Sequence, residues 1–281
     1  DIIMKTDMQY GGSRMKISFS TLGCPRWSLK EIMATAVDLG YQGIEVRGVG
    51  KDISVPSVPD FAGENLPGTI AALRRMNLAI PCLDSDCCIH LRENEKAVTA
   101  EIEAYAALAQ KLGTPYVRVM ATAPVPQPVG TVDEIYVRDR AVALGELAKA
   151  HGVKLLIETH GVWSDSEKLA RLLSLIGSPS VGALWDMHHP YRFMGEKPQT
   201  TVEILKPWLW HTHMKDSQRA EGGYRYTLPG FGDVPLAECV RTLETAGYEG
   251  YYSLEWVKRW DTTLEEPGIV FAHFANFMRT L

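Results

Sequence analysis

Four residues of the kinds that bind divalent cations stand at the ends of successive apolar segments of this sequence. The segments VKLLIE, VGALWD, WLWHTH and YYSLE end in Glu158, Asp186, His213 and Glu255. Three carboxylates gathered in one place would repel one another, and burying each without a partner would be costly. A divalent cation between them removes both difficulties. We therefore expect these four side chains to bind one metal ion.

The donor set narrows the choice of metal. Carboxylate oxygens favour Mn²⁺ or Mg²⁺, whereas the single imidazole also suits Zn²⁺ or Co²⁺. An isolated acidic residue at the end of a strand is more often a helix cap or a solvated loop charge. That explanation would have to hold at consecutive strands here, so the sequence favours the metal site.

The four segments belong to a regular alternation of short apolar segments with longer amphipathic ones. Strands are predicted at residues 16–20, 43–47, 79–84, 115–120, 153–158, 181–186, 208–213 and 251–255. Helices are predicted at residues 28–40, 65–77, 93–112, 133–151, 165–177, 200–206, 236–246 and 263–280. Ser28 and Glu31 have the spacing of a capping box for the first helix, and Gly40 is placed to end it.

This alternation, with strands that are apolar throughout, is typical of a parallel sheet covered by helices. Eight units favour a single closed (β/α)8 barrel over an open doubly wound sheet, and no Gly-x-Gly-x-x-Gly motif follows the first strand. The barrel domain is expected to comprise residues 15–281. Residues 1–14 lack periodicity and are expected to be a disordered or vector-derived extension. The strand ends of a barrel converge on one mouth, which would bring the four residues together.

The composition limits what the protein binds and where it works. The 281 residues carry a formal net charge of −5, which gives no general attraction for nucleic acid or an anionic membrane. A small-molecule partner is therefore expected. The five cysteines include no Cys-x-x-Cys pair, and the sequence has no long apolar run and no secretion signal. These features favour a protein of the reducing cytoplasm without disulfides or a membrane span.

Spacing alone settles the roles of only some histidines near the strand ends. His211 and His213 share one face of their strand, and we assign His213, which is nearer the mouth, as the ligand. His211 is then expected to be a hydrogen-bonded core residue. The spacing does not decide which of His188 and His189, the two histidines after Asp186, points into the mouth.

The segments around these residues resemble one enzyme superfamily when they are taken in order. They are VKLLIETHG (153–161), VGALWDMHHP (181–190), WLWHTHMKDS (208–217), LPGFGDVPL (228–236) and GYYSLEW (250–256). From Met15 onward, over nearly its whole length, the chain resembles the sugar phosphate isomerase/epimerase superfamily with its xylose isomerase-like TIM barrel. Ketose 3-epimerases, inosose dehydratases and endonuclease-IV-type enzymes are related to that barrel.

The resemblance implies roles for particular residues. It assigns the metal set to the same four positions, and its Asp-x-x-His pattern places a substrate-contacting histidine at His189. A basic residue six positions after the metal histidine corresponds to Arg219, and a histidine after the third strand corresponds to His90. We add His160 and Trp163 after the fifth strand, the second because an aromatic ring can stack on a sugar. The resemblance also implies a homodimer or homotetramer.

The expected function is that of a divalent-metal-dependent isomerase or epimerase acting on a ketose or related polyol. The metal would polarise the carbonyl. Glu158 and Glu255 would lie on opposed sides of the mouth, so that one removes the neighbouring proton and the other returns it through an enediolate. Arg219, or a hydrogen bond donated by His189, would steady the developing oxyanion. Return to the same carbon gives an epimer, and return to its neighbour gives the aldose–ketose isomer.

Three other functions are compatible with parts of the sequence. A lyase of the inosose dehydratase type would begin with the same proton abstraction, and the sequence does not separate it from an epimerase. An endonuclease-IV-like phosphodiesterase needs extra histidines, whereas Asp233 is followed by Val234 and Pro235, and the negative net charge opposes binding to a phosphate backbone. A non-catalytic sugar-binding or scaffold protein would not need the intact set of four. No clear phosphate cradle is present, which favours free sugars over sugar phosphates.

Overall fold

The computed structural model describes residues 15–281, and its central feature is a sheet of eight parallel strands. These are β1 (Lys16–Ser20), β2 (Gly43–Glu45), β3 (Cys82–Cys88), β4 (Tyr116–Met120), β5 (Lys154–Glu158), β6 (Val181–Asp186), β7 (Leu209–Met214) and β8 (Tyr251–Leu254). Each overlaps a predicted strand. The prediction made for residues 1–14 lies outside the described residues.

The strands follow one another around a nearly closed barrel. Neighbours are hydrogen-bonded in the order β2, β1, β8, β7, β6, β5, β4, β3, and every ladder is parallel. The two ends of this sheet, β2 and β3, meet through isolated parallel bridges that pair Gly43 with Ala79 and Val46 with Leu83. An open doubly wound sheet would keep these edges apart, so the predicted (β/α)8 barrel is confirmed.

Helices cover the outside of the sheet. They are α1 (Leu29–Leu39), α2 (Leu66–Arg75), α3 (Glu95–Leu112), α4 (Glu134–Ala150), α5 (Ser166–Ile176), α6 (Pro198–Leu205), α7 (Leu236–Thr245) and α8 (Pro267–Arg279). The predicted capping box of Ser28 and Glu31 begins α1, and Gly40 ends it in the left-handed region at φ 78°. Within residues 15–281, no helix has both the length and the apolar character needed to cross a membrane.

Side chains that point into the barrel form two layers of opposite character. Alternation along a strand puts residues two apart on the same face. The lower layer is a small apolar cluster of Cys82, Leu156 and Leu184. Two residues further toward the mouth, the same three strands carry the buried charged residues Asp84, Glu158 and Asp186. The mouth therefore holds buried charge directly above an apolar floor.

After β7 the chain forms a β-hairpin, residues 216–227, whose two arms pair antiparallel. The buried Asp216 anchors the hairpin and the loop that follows it. Its carboxylate accepts hydrogen bonds from four backbone N–H groups, those of Ser217, Gly230, Gly232 and Val234. A Cβ atom at position 232 would lie 2.0 Å from the Asp216 carboxylate, so this close approach requires glycine.

Candidate metal centre

The four predicted metal ligands meet at the mouth of the barrel. Glu158 and Asp186 end β5 and β6, His213 is next to last in β7, and Glu255 directly follows β8. All four are buried, and one donor atom from each lies within 4.8 Å of the other three. The Nδ1 atom of His213 is 3.7 Å from a Glu158 oxygen and 3.4 Å from a Glu255 oxygen. The strands thus gather three carboxylates around one imidazole nitrogen.

The hydrogen bonding of His213 leaves one of its ring nitrogens available to bind a metal ion. Its Nε2 atom lies 2.5 Å from Oε1 of Glu45, a buried residue at the end of β2. Burial opposes the charge of Glu45, but His213 and His211 outweigh burial and hold the pKa of Glu45 well below its ordinary value. An ionised carboxylate only accepts, so Nε2 carries the hydrogen. Nδ1 has no hydrogen-bond partner among residues 15–281, and a divalent cation at the cluster would satisfy this costly unpaired atom.

A buried lysine balances part of the carboxylate charge. Lys215 places Nζ 2.6 Å from Oδ2 of Asp186 and also contacts Oε2 of Glu255. Burial alone would lower the pKa of Lys215, but attraction to these two acids outweighs burial and holds its pKa well above the ordinary value. The ammonium group therefore stays charged beside the cluster.

Arg118 of β4 approaches the cluster from the other side. Its NH1 atom lies 3.4 Å from Oε2 of Glu158, and its Nε atom lies 3.7 Å from Oδ1 of Asp84. The guanidinium group is almost completely buried, and it forms part of the wall of the mouth. Two cationic side chains, Arg118 and Lys215, thus flank the three carboxylates.

The three carboxyl groups of the cluster differ in pKa. Burial would raise the pKa of Glu158, but the neighbouring His213 holds it well below the ordinary value. Burial also opposes the charge of Glu255, yet the attraction of Lys215 lowers its pKa. By contrast, burial raises the pKa of Asp186 to about 6 despite its contact with Lys215. At neutral pH, Glu158 and Glu255 are therefore ionised and able to accept a proton, and Asp186 is the carboxylate that is protonated most easily.

The cluster opens into a cavity of about 690 Å³. Glu255 and Lys215 form part of its wall, and the hairpin contributes Tyr224 and Tyr226. The loop after β8 contributes Trp260, which is 58% exposed. Small-molecule sites in proteins commonly have this volume. The arrangement is a set of four possible metal ligands, two of which line a cavity with space for a small molecule.

Comparison with known protein families identifies the barrel. The family described as xylose isomerase-like TIM barrel matches residues 33–279, which is most of the chain. The protein belongs to this family. The resemblance seen in the sequence is therefore confirmed, and the barrel observed here is the fold of that family.

Two curated relatives share part of this xylose isomerase-like barrel. The chain is 30% identical to fructoselysine 3-epimerase of Escherichia coli O157:H7 over 119 residues, which are 41% of the chain and 42% of that protein. It is 30% identical to inosose dehydratase of Clostridium perfringens over 132 residues, which are 40% of the chain and 43% of that protein. The chain thus spans about two fifths of the length of these relatives. Both relatives are enzymes.

Solved structures share the fold over nearly the whole chain. The probable 3-DHS dehydratase AsbF from Bacillus anthracis has a TM-score of 0.77 at 19% identity, covering 94% of this chain and 99% of that chain. A xylose isomerase-like barrel protein from Mycobacterium smegmatis in complex with magnesium has a TM-score of 0.73 at 17% identity, covering 95% and 96%. The IOLI protein with a bound zinc atom has a TM-score of 0.72 at 17% identity, covering 95% of each chain. These structures establish the fold, and the metals belong to those proteins.

Two of the predicted substrate-binding residues line the cavity of this xylose isomerase-like barrel, His160 and His189. Nδ1 of His189 donates a hydrogen bond to the Thr159 carbonyl at 2.8 Å, and the buried Nε2 has no partner within residues 15–281. Burial and the charge of Lys215 hold the pKa of His189 well below its ordinary value, so the ring is neutral. Nε2 therefore offers a lone pair that accepts a hydrogen bond, contrary to the expected donor role. Burial lowers the pKa of His160 to about 4.

The structure does not place the other three predicted substrate-binding residues in the cavity wall. Arg219 is exposed, because residues 218–220 leave the barrel as an arm of the hairpin. Trp163 is completely buried and donates its indole N–H to the Ala121 carbonyl at 2.8 Å, so its ring packs beneath the mouth. His90 is half-buried just beyond β3. Substrate contact at these three residues stays a prediction.

Sequence reasoning missed three charged residues of the site, although each left a signal. Arg118 interrupts the apolar segment YVRVM, and Glu45 interrupts GIEVR. Lys215 continues the alternate positions of His211 and His213. A charged residue within or directly after a strand that is covered by helices needs a partner inside the barrel, because burying an unpaired charge is costly. Such residues can therefore be assigned to the interior before a structure is known.

Proposed function

We propose that this protein is a divalent-metal-dependent isomerase or epimerase that acts on a ketose or related polyol. The observation that carries the proposal is the cluster of Glu158, Asp186, His213 and Glu255, of which Glu158 and Glu255 line a cavity. The partial match to an epimerase supports the reaction type. The absence of a clear phosphate cradle in the sequence supports a free sugar over a sugar phosphate.

The three carboxylates and Nδ1 of His213 would hold the metal. Their oxygen majority favours Mn²⁺ or Mg²⁺, and the imidazole also admits Zn²⁺ or Co²⁺. When bound, such an ion supplies Lewis acidity that polarises a substrate carbonyl and stabilises the negative charge of an enediolate. Nε2 of His189 would orient the substrate by accepting a hydrogen bond from a hydroxyl group.

Glu158 and Glu255 would move the proton next to the substrate carbonyl. Their ionised state suits both to act as a base, but their neighbours separate the roles. Glu255 contacts the Lys215 ammonium group, which keeps a transferable proton beside it. Glu158 instead faces Arg118, whose guanidinium does not give up a proton. We therefore assign proton removal to Glu158 and proton return to the side of Glu255 and Lys215.

The test is exchange of substrate hydrogen with solvent. Protein loaded with Mn²⁺ is incubated with a panel of ketoses and inososes in D₂O, and the recovered sugars are analysed by mass spectrometry and NMR. We expect deuterium at the carbon that receives the returned proton, together with the epimer or isomer. Glu158→Gln should abolish both. If protein that has bound the metal exchanges hydrogen with none of these sugars, the proposal is wrong.

A lyase of the inosose dehydratase type is the second candidate. The chain matches an inosose dehydratase at the same 30% identity as the epimerase. In addition, Lys215 is a buried acid group that could protonate a departing hydroxyl. Both reactions begin with the same proton abstraction, but loss of the β-hydroxyl gives an enone. Ultraviolet absorbance of the enone in the same assay separates the two candidates.

A further inference from the structure

A fully buried acid, Glu45, lies beneath the metal cluster. Glu45 is fully buried at the end of β2 and accepts hydrogen bonds from three donors. Nε2 of His213 lies 2.5 Å from Oε1, Nε2 of His211 lies 2.8 Å from Oε2, and the Ser253 hydroxyl also donates to Oε2. Within residues 15–281, no lysine or arginine forms an ion pair with Glu45. His211 and His213 therefore stabilise this buried charge.

The position of Glu45 is fixed by the barrel and not by a flexible loop. β1 separates β2 from β8, and β7 is the next strand after β8. Glu45 therefore reaches across the interior from β2 to the histidines of β7. Because each of its oxygens is already engaged by a different histidine, the carboxylate is held on both sides.

Glu45 is also the acid that faces His213 in the pair of acids beneath the cluster. Asp84 lies nearby, and one donor atom each from Glu45, Asp84 and His213 lie within 4.8 Å of one another. Asp84 has a cationic neighbour of its own, because Nε of Arg118 lies 3.7 Å from its Oδ1 atom. The hydrogen bonds of His211 and His213 go to the oxygens of Glu45.

We propose that Glu45 is a positioning residue that sets which nitrogen of His213 faces the metal. The proposal rests on the metal site of the proposed function. Because Glu45 only accepts hydrogen bonds, Nε2 of His213 keeps its hydrogen, and Nδ1 is left for the cluster. A carboxylate behind a ligating imidazole fixes the ring and makes its free nitrogen a stronger donor. His211 occupies the other oxygen of Glu45 and so keeps the carboxylate from turning toward the metal.

The first test is metal affinity in the variant Glu45→Gln. A carboxamide has one accepting oxygen and a donating NH₂ group, so it cannot accept from both histidines. We expect the affinity for Mn²⁺, measured by the free Mn²⁺ signal in electron paramagnetic resonance, to fall roughly 10–100-fold. Ser253→Ala is the matched control, because it removes the third donor and leaves both histidine bonds in place. Its affinity should stay like that of the unaltered protein, and circular dichroism checks that each variant is folded.

The second test reads the histidines directly and does not need activity. In protein labelled with ¹⁵N-histidine, we expect slowly exchanging Nε2–H groups for both His211 and His213, with and without Zn²⁺. On adding Zn²⁺, the Nδ1 resonance of His213 should shift while its Nε2–H is kept. Glu45→Gln should remove one of these Nε2–H signals, and Glu45→Asp, which restores a carboxylate, should recover part of the metal affinity.

The possible failures can be told apart. If folded Glu45→Gln binds Mn²⁺ as tightly as the unaltered protein, or if His213 binds Zn²⁺ through Nε2, the role of Glu45 is wrong. Loss of Mn²⁺ with both Nε2–H signals intact would make Glu45 itself a ligand and would also overturn the proposal. If the unaltered protein binds neither metal, the proposed function fails. The Nε2–H signals of the metal-free protein then still decide whether Glu45 orients His213.

Discussion

The two halves of the barrel contribute different kinds of residue to one site. The donor half, strands β5 to β8, supplies the four residues of the metal cluster. The support half, strands β2 to β4, supplies Glu45, Asp84 and Arg118, which are buried ionisable residues. These three contact the donors or one another, as Glu45 does with His213 and Arg118 does with Glu158. One half therefore carries groups suited to hold an ion, and the other carries groups that hold those side chains in place.

A buried charge at the mouth of a barrel is therefore not by itself evidence of a metal ligand. In the donor half, the residue types and their positions are enough to suggest a role. In the support half, the role follows from the partner: a glutamate that accepts from two histidines orients them, whether or not it touches substrate. Variants of Glu158 and Lys215 test the donor half, and Glu45→Gln tests the support half.

The largest effect is expected when the donor half loses a ligand. Glu158→Gln removes both a metal-binding charge and the assigned base, so the activity should fall about 10²–10⁴-fold. Metal content of the purified protein should fall with it. Measurement of kcat/KM together with elemental analysis checks both results. Glu167→Gln, at an exposed glutamate of α5, is the matched control and should change neither. A Glu158→Gln protein with full metal and full activity would remove the donor half from the mechanism.

A smaller effect is expected at Lys215, which stabilises the donor half when no metal is bound. Lys215→Met leaves Asp186 and Glu255 without their cationic partner, which should destabilise the metal-free protein by about 3–5 kcal/mol. Bound Mn²⁺ should restore most of this loss, because it supplies positive charge at the same carboxylates. Urea unfolding with and without Mn²⁺ measures the difference. Lys206→Met, at an exposed lysine, is the control. Equal destabilisation in both states would contradict this role.

The affinity for Mn²⁺ is expected to depend on pH because the ligands must lose their protons to bind. Burial raises the pKa of Asp186 to about 6, so protons compete with the metal increasingly as the pH falls through that value. The neighbouring Glu45 and Glu255 outweigh burial and hold the pKa of His213 well above its ordinary value, which acts in the same direction at higher pH. Affinity should therefore rise with pH on both sides of neutrality. Calorimetric titrations of folded protein at several pH values test this, and a flat profile would contradict it.

The smallest effect on activity is expected at Trp163, which lies beneath the mouth and outside the cavity wall. Trp163→Phe loses the hydrogen bond to the Ala121 carbonyl and should lower stability by about 1–3 kcal/mol without changing KM. Trp260→Ala, at an exposed tryptophan that lines the cavity, should do the reverse and raise KM with little loss of stability. Thermal melts and steady-state kinetics distinguish the two. A higher KM in Trp163→Phe would return this residue to the substrate site.

The strands and most helices could be predicted because their patterns are local, and β3 shows the limit of this. The apolar segment AIPCLD places a strand at 79–84, whereas the strand spans Cys82–Cys88. Pro81 has no N–H to give to a ladder, so continuous pairing begins after it. The strand then continues through polar residues because the mouth supplies partners, as when Ser85 donates to the Arg118 carbonyl at 2.7 Å.

The donor half could be predicted and the support half could not, for a geometric reason. The cost of burying an unpaired charge assigns Glu45 and Arg118 to the interior, but it does not say which residue each one contacts. Glu45 and His213 are 168 positions apart, and only closure of the barrel brings them together. Arg219 lies outside the described cavity wall, since counting six residues from His213 assumed a loop where the chain forms a hairpin.

The hydrogen bonds of Asp216 fix the base of the hairpin, whereas the side chains of the hairpin tip are free to differ in sequence. Lys215, at the metal cluster, directly precedes Asp216 in the chain. The exposed hairpin tip, residues 218–223, follows it. Four backbone bonds to one carboxylate hold the base of the hairpin whatever side chains the tip carries. Residues of the tip can therefore be exchanged, by natural divergence or by design, while Lys215 keeps its place beside Asp186 and Glu255. Tyr224 and Tyr226 of the same hairpin line the cavity, so the hairpin joins an exchangeable tip to a fixed part of the cavity wall.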